Sequence, residues 1–442
     1  MTDQLETQQA DSTSSPVGET DGSGVQFAGG RLALLLLALV GIGYLNPWML
    51  LVITALVVMI FLHELGHYVM ARRADMKVTE FFLFFGPKIW SFRRGETEYG
   101  IKCIPAGAYV KIIGMSNLEE VSPEDEARTY RQKPFRHRFG VAVAGSTMHF
   151  ILALGLLFVA LTAIGQPAGT FDPDTQARNW QIREVIPGSG ASEAGIVEGD
   201  RITSIDGTPI ATFDDLREVL EPLRGTDATV PISYVRDGEV SETQVLLRDY
   251  TYQGRTSNGF GVVLGSPDVE KVNPAKAVVQ TPVEFTRITR MSLEALGRFF
   301  TPGGISDFAG QVGSARADRA ALQNAEANTP PPEVSENRLI SIWGLIRLGS
   351  DAGSVDPSSL IVLFALINIF IGVFNLLPLL PFDGGHVVIA VYEKVQEMRT
   401  GTRRYFADLR RWEPLVYGVV ILLGMLFVST LWLDIVNPLE VR

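Results

Sequence analysis

The sequence predicts a polytopic α-helical membrane protein, with four core spans, one marginal N-terminal span and a compact α+β module inserted between them. Three observations carry this. Of 442 residues, 46% are hydrophobic and only 20% charged, and mean hydropathy is positive at +0.18, a balance unusual for a water-soluble chain. Several long runs contain no charge at all. Residues 166–358, by contrast, form a polar insertion whose middle alternates short β-like runs with turns. The formal charge of -11 argues against nucleic acid as a partner, because phosphate binding needs a basic face. The single cysteine, Cys103, excludes an intramolecular disulfide and any cysteine-built metal centre.

Residues 1–30 are polar and lack Lys and Arg, which predicts a disordered tail and not a signal peptide, since a signal needs a basic start. From Leu32 to Leu62 nothing is charged. As one helix that run would be roughly 46 Å long, against a bilayer core of about 30 Å. Asn46-Pro47 divides it, because proline opens a helix better than it continues one. The first piece, within 31–46, is a marginal segment; Pro47–Arg73 is a full span. Phe139–Gly165, whose one ionisable residue is His149, ends a first membrane region at 47–165. Ser358–Phe382 and Pro414–Leu433 make a second, at 358–442.

Within the insertion, residues 178–265 read as an α+β module, with β-like runs at 180–186, 200–207 and 230–235 and a helix at 213–220. Residues 266–357 hold an amphipathic helix capped by Asn273-Pro274 and running through Phe300, then a flexible connection at 316–338. That helix could lie in the membrane interface or pack against the module. The insertion has 17 basic against 27 acidic residues, whereas the 72–138 loop has 13 against 9 and the 384–413 loop 6 against 4. The basic loops should be cytoplasmic, with the insertion outside and the protein in the cell membrane.

The strongest chemical signal is His63-Glu64-Leu65-Gly66-His67. On a helix, residues four apart share a face, so His63 and His67 can offer imidazole nitrogens to one Zn²⁺. Glu64 stands beside that face as a candidate general base. Three ionisable groups in five residues of a span are costly unless a metal or a wet cavity rewards them. A catalytic zinc needs a third protein ligand. Asp383, in the Pro378-Leu-Leu-Pro381-Phe-Asp383-Gly384-Gly385 stretch, borders another apolar run on the same side. Pro378 and Pro381 must break the helix there, exposing backbone that is tolerated at depth only inside protein or a wet cavity. Both halves of the site are therefore expected in the cytoplasmic half of the bilayer.

These motifs, with Asn375 eight residues before Asp383, resemble the site-2 protease family of intramembrane zinc metalloproteases. Tyr99-Gly100-Ile-Lys-Cys-Ile-Pro105-Ala-Gly107-Ala-Tyr109-Val-Lys111 resembles that family's β-hairpin near the active site. The module resembles a bacterial PDZ domain through Pro187-Gly-Ser-Gly and Ile205-Asp206-Gly207. The resemblance runs from about Pro47 to the C-terminus, in the order seen in proteases that cut membrane-bound anti-sigma factors. It implies one Zn²⁺ per chain held by His63, His67 and Asp383, with Glu64 as base, and substrate or oxyanion support from Asn375, Gly107 and Tyr109. It also implies single-pass membrane substrates already shortened by an upstream site-1-type protease, and a PDZ domain that binds peptide chain ends or only gates access. From its residue type alone, Asn375 could equally cap a broken helix.

One departure stands out. Where the family has Gly-Pro-x-x-Asn, this chain has Gly145-Ser146-Thr147-Met148-His149. His149 reads either as support for the metal ligands or as a donor to a neighbouring helix. His386 either orients a ligand or sits in solvent, and His137 belongs to a basic juxtamembrane cluster. Two other classes remain open at this level: a membrane-tethered zinc protease with a cytosol-facing site, and a catalytically silent PDZ receptor.

Overall fold

The computed structural model describes residues 23–437, apart from 116–118, 168–180, 211–214, 216–218, 224–225, 227, 237, 253–254, 266–268, 325–338 and 403. Helix α1 (Ser23–Leu45) includes the last eight residues, 23–30, of the stretch expected to be unstructured; residues 1–22 lie outside the described residues. Its side chains Leu34, Leu37, Val40 and Leu45 are exposed, as lipid-facing residues would be. Helix α2 (Pro47–Arg73) starts where the dipeptide predicts: the Asn46 side chain accepts the Met49 backbone N–H at 2.9 Å, with Pro47 in the first turn.

Among the described residues, three helices are long and apolar enough to cross a membrane: α2, the helix from Phe135 to Ile164 and the helix from Glu413 to Val436. The second comprises α3 (Phe135–Val159) and a closing π-turn, Ala160–Ile164. The fourth apolar run gives only a 17-residue helix, ending at Asn375. The reason lies in the sequence beyond it, where Pro378 and Pro381 cannot continue a helix.

The polar insertion contributes α4 (Pro274–Phe299), capped by Asn273, α5 (Pro302–Asn324) and α6 (Ile342–Val355). Helix α4 packs on the apolar helices: Ile288 and Leu296 join Ala153, Leu157, Ala365 and Ile369 in one buried cluster. Phe285 meets Phe150 edge-on at 5.4 Å. The expected connection at 316–338 is helical through Asn324, and the rest of it lies outside the described residues. Helix α7 (Ser359–Asn375) follows, then α8 (Asp383–Thr400) and α9 (Glu413–Val436). The 384–413 stretch is thus an 18-residue helix plus a short strap, not a loop.

Small residues let the site-bearing helices approach closely, as in other membrane bundles. A methyl at Gly66 of α2 would stand 2.7 Å from the Ala144 carbonyl oxygen of α3. One at Gly372 of α7 would stand 2.4 Å from the Phe150 ring of α3. Helix α3 is therefore wedged between α2 and α7.

Strands β1 (Val78–Arg94) and β2 (Thr97–Ile112) are long and sharply bent. Glu80, Phe81, Phe82 and Leu83 pair on one side with Lys111, Val110, Tyr109 and Ala108, and on the other with Glu98, Tyr99, Gly100 and Ile101. The result is a small folded sheet with its 108–112 stretch at an edge. It docks on α2 through Tyr68 and Tyr99, whose hydroxyls lie 2.6 Å apart, and through the Arg72–Glu96 ion pair. Glu96 also accepts two hydrogen bonds from Arg128, at 2.7 and 2.8 Å. The Arg128 guanidinium holds its carboxyl below the ordinary value of 4.5. A depressed carboxyl adds stability above its unfolded pKa and loses it as pH falls through the folded value. Hydrogen exchange at residues 94–97, corrected for intrinsic rate, should therefore accelerate below about pH 4.5. An identical pH response in Glu96→Gln would refute this anchor.

In the insertion, β3 (Gln181–Val185), β4 (Arg201–Ile205), β5 (Thr208–Pro209), β6 (Thr229–Arg236), β7 (Glu239–Leu246) and β8 (Val262–Gly265) build an α+β module. Four strands form a sheet in the order β5-β4-β6-β7, and β3 pairs with β8. The helix expected at 213–220 falls mostly outside the described residues. Alternation fills the core with Ile182, Ile202, Ile205, Val230, Ile232 and Val245. Ile232 is 1% exposed, so Ile232→Ala should cost about 2–5 kcal/mol, seen as a lower denaturation midpoint.

Candidate metal centre

His63 and His67 share one face of α2, and Asp383 opens α8. The His63 and His67 Nε2 atoms are 3.2 Å apart. Asp383 Oδ2 lies 3.2 Å from His67 Nε2 and 3.4 Å from His63 Nε2. Zinc bonds of about 2.0–2.1 Å in tetrahedral array put ligand atoms about 3.3 Å apart. The observed triangle has that size. Among the described residues, this is the one group of three His, Cys, Asp or Glu side chains close enough to share an ion.

Electrostatics point the same way. His67 Nδ1 lies 2.7 Å from the Val141 carbonyl oxygen, which can only accept, so Nδ1 carries the proton. In the neutral ring Nε2 is then an acceptor, and it faces another acceptor, Asp383 Oδ2, as well as the ring nitrogen His63 Nε2. Converging lone pairs in a buried site require a proton or a cation among them. The Val141 bond from α3 also fixes the orientation of the His67 ring, as backbone carbonyls do for metal-binding histidines.

Gly145 of α3 forms the floor. A methyl there would stand 2.3 Å from His63 Cε1 and 2.5 Å from His67 Nε2. Only glycine leaves the two rings their places. Glu64, on the next position of α2, lies against the β2 backbone at Val110. The folded sheet thus reaches the carboxylate next to the histidine pair.

The remaining expected site residues fall as follows. His149 is buried, and its Nδ1 lies 2.8 Å from Asn368 Oδ1 of α7. Asn368 gives its own Nδ2–H to the Phe364 carbonyl, so its oxygen accepts and His149 donates. The His149 ring also sits 5.1 Å from that of His63. It thus donates to a neighbouring helix while touching a histidine of the triangle. Asn368, fully buried, escaped sequence reading. The signal was its amide in an otherwise apolar run, which needs a partner for the reason His149 does. Asn375 is the last residue of α7 and half-buried. Gly107 has φ +135°, and a methyl there would meet the Phe85 ring at 3.3 Å. Tyr109 gives its hydroxyl to Glu80 at 2.5 Å and receives Lys102 at 2.6 Å. Its oxygen is therefore engaged within the sheet. His386 is half-buried with its ring 6.4 Å from that of Tyr130. His137 sits in the first turn of α3.

Two histidines and an aspartate at zinc-ligand spacing, two of them on a membrane-length apolar helix and with a further carboxylic acid beside them, are the arrangement of a membrane metallopeptidase. The chain belongs to peptidase family M50, whose model matches residues 51–407. It is 30% identical to the zinc metalloprotease Rip1 of Mycobacterium tuberculosis over 407 residues, 87% of this chain and 96% of that protein. It is 31% identical to Rip1 of Mycolicibacterium smegmatis over 412 residues, 88% and 97% of the two chains. The protein is a membrane zinc metalloprotease of the site-2 protease family, and its cofactor is Zn²⁺.

Proposed function

We propose that this enzyme cleaves single-pass membrane proteins within or near their transmembrane segments, at a zinc held by His63, His67 and Asp383. The observation that carries this reading is the ligand-spaced triangle of His63, His67 and Asp383, borne by helices α2 and α8 and floored by Gly145. When bound, zinc supplies Lewis-acid chemistry, polarising a carbonyl and acidifying water. The chain's own residues do the rest. Glu64 takes the proton from attacking water and returns it to the leaving amine. The His67–Val141 hydrogen bond keeps a lone pair aimed inward. Asn375, at the break after α7, is proposed to support the substrate backbone or the developing oxyanion.

A helical substrate hides its carbonyls in internal hydrogen bonds and must unwind before cleavage. The 108–112 edge of the folded sheet, lying against Glu64 at Val110, offers backbone groups to an unwound segment as a strand partner. Gly107 begins that edge and lets the backbone come close, while Tyr109 braces it through Glu80 and Lys102. His149, tied to Asn368 and packed on His63, supports the ligand cluster; His386, three residues after Asp383 on the same helix, is proposed to help orient it.

The basic 72–138 and 384–413 stretches support a multi-pass arrangement with the site in the cytoplasmic half of the bilayer and the insertion outside. The 17-residue α7 reaches about 25 Å and serves as the fourth span if the bilayer is locally thin. The α+β module then acts as a PDZ domain that binds peptide ends or screens substrates, admitting those trimmed by an upstream site-1-type protease. Anti-sigma-factor-like proteins fit this description. Membership in a peptidase family sets aside the silent receptor.

The test is cleavage of a single-pass substrate, its outer end trimmed, by the protein reconstituted in vesicles. Product ends should map within the apolar segment, and a zinc chelator should stop the reaction. Product ends confined to the cytosolic tail would favour the tethered-protease reading instead.

A further inference from the structure

Beyond the site, one charged group is buried more deeply than the sequence foretells. Arg138, in the first turns of α3, is 3% exposed, and Glu393 of α8 is 2% exposed. Arg138 Nη1 donates to Glu393 Oε2, and Nη2 lies 3.9 Å from Glu397 Oε1 on the next turn. Glu393 Oε1 also accepts the Ala407 backbone N–H at 2.8 Å. The strap carrying Ala407 is held further by Arg404, which donates to the Arg131 and Lys133 carbonyls at 3.2 Å each. On the α3 side, Tyr130 gives its hydroxyl to the Arg138 carbonyl at 3.1 Å.

The placement of this pair along both helices gives it a consequence for the metal centre. Asp383 is the first residue of α8, and Glu393 lies ten residues on, about 15 Å along the axis. On α3, Arg138 stands one turn before Val141, whose carbonyl orients His67, and about two turns before Gly145, which floors the two imidazoles. Helix α8 therefore runs along α3 with its first residue at the histidines and its middle pinned by the ion pair. The turn before Asp383 packs closely on Gly384 and Gly385 and so sets where α8 begins, but the tilt and rotation of the helix along α3 depend on contacts farther on. A buried pair that is costly to break fixes both.

We propose that the Arg138–Glu393 ion pair is a positioning pair for the zinc centre, holding α8 against α3 so that Asp383 meets His63 and His67 at ligand spacing. The pair touches neither metal nor substrate; it acts through the helix. The proposal rests on the assignment of Asp383 as a zinc ligand. It predicts that weakening the pair lowers zinc affinity even in protein that remains folded.

The experiment uses the full-length protein in detergent, with zinc affinity read by chelator competition and Tm recorded with chelator and with saturating zinc. Glu393→Gln should lower zinc affinity by about 10–100-fold, the usual range for groups that orient a ligand. The rise in Tm on adding zinc should shrink with it. The charge swap Arg138→Glu with Glu393→Arg should recover part of that rise. Arg236→Met, which breaks the Arg236–Asp200 pair in the insertion, should lower Tm without zinc but leave the zinc-induced rise intact. A Glu393→Gln protein with lowered Tm but unchanged zinc affinity and unchanged rise overturns the proposal, leaving the pair a structural brace. Should Glu393→Gln not fold, Arg138→Lys carries the same measurement, and the same pattern of outcomes decides. A wild-type protein that takes up no zinc overturns the zinc-ligand assignment and this proposal together. Wild-type uptake that is lost in Asp383→Ala, alongside an unchanged Glu393→Gln, overturns the positioning pair alone.

Discussion

Glu64→Gln is expected to lower peptide-bond hydrolysis by about 10²–10⁴-fold, the share a positioned acid–base group commonly supplies. Zinc content should stay at the wild-type level. The substitution keeps the shape of the side chain and removes only its ability to take and return a proton. Glu64 lies against the Val110 backbone of the sheet edge and is absent from the ligand-spaced triangle of His63, His67 and Asp383. Substrate binding through that edge should therefore survive, so the loss belongs in kcat with KM nearly unchanged. In cells the variant should accumulate single-pass fragments. Full activity in a zinc-loaded Glu64→Gln protein would remove Glu64 from the chemistry.

Gly145→Ala is expected to abolish zinc binding and activity together. The added methyl would stand 2.3 Å from His63 Cε1, 2.6 Å from His63 Nδ1 and 2.5 Å from His67 Nε2. No rotation relieves a Cβ, and α3 cannot retreat while α2 and α7 press on it at Gly66 and Gly372. The imidazoles must give way, so the loss in zinc affinity should exceed the about 10–100-fold typical of losing one orienting hydrogen bond. Gly155→Ala is the matched control on the same helix: its methyl would meet nothing within 4 Å. Alanine there should bind zinc as the wild type does, gaining slightly in helix propensity. Wild-type zinc affinity in Gly145→Ala would mean that α2 and α3 lie farther apart than described.

The same glycine shows how far the sequence could be read. Its place in the Gly145-Ser-Thr-Met-His149 stretch was visible as a departure from a family pattern, but its steric role was not, because the rings it spares come from another helix. His149 stands out in the sequence as titratable at depth, whereas its acceptor Asn368, an uncharged amide in an apolar run, does not. The helix at 383–400 reads as a loop in the sequence because its polar residues mask it in a hydropathy profile. On its buried face, Glu393 can be charged and buried because α3 supplies Arg138. Likewise the Gly-punctuated sequence of α6 hides a helix, which Ser341 caps by accepting the Gly344 N–H at 3.0 Å.

What the sequence determined by itself follows from local periodicity and hydropathy. The break at Asn46-Pro47, the cap at Asn273, the apolar helices and the i, i+4 histidine pair each depend on neighbours in the chain. Tertiary structure decided what depends on approach between distant segments. It brought Asp383 to the two imidazoles, joined His149 to Asn368 across 219 positions and Arg138 to Glu393 across 255, and made Gly145 irreplaceable. A hydrogen bond or ion pair between helices is fixed by how closely their backbones pack, and that distance is set by small residues on both partners at once. No single segment encodes it.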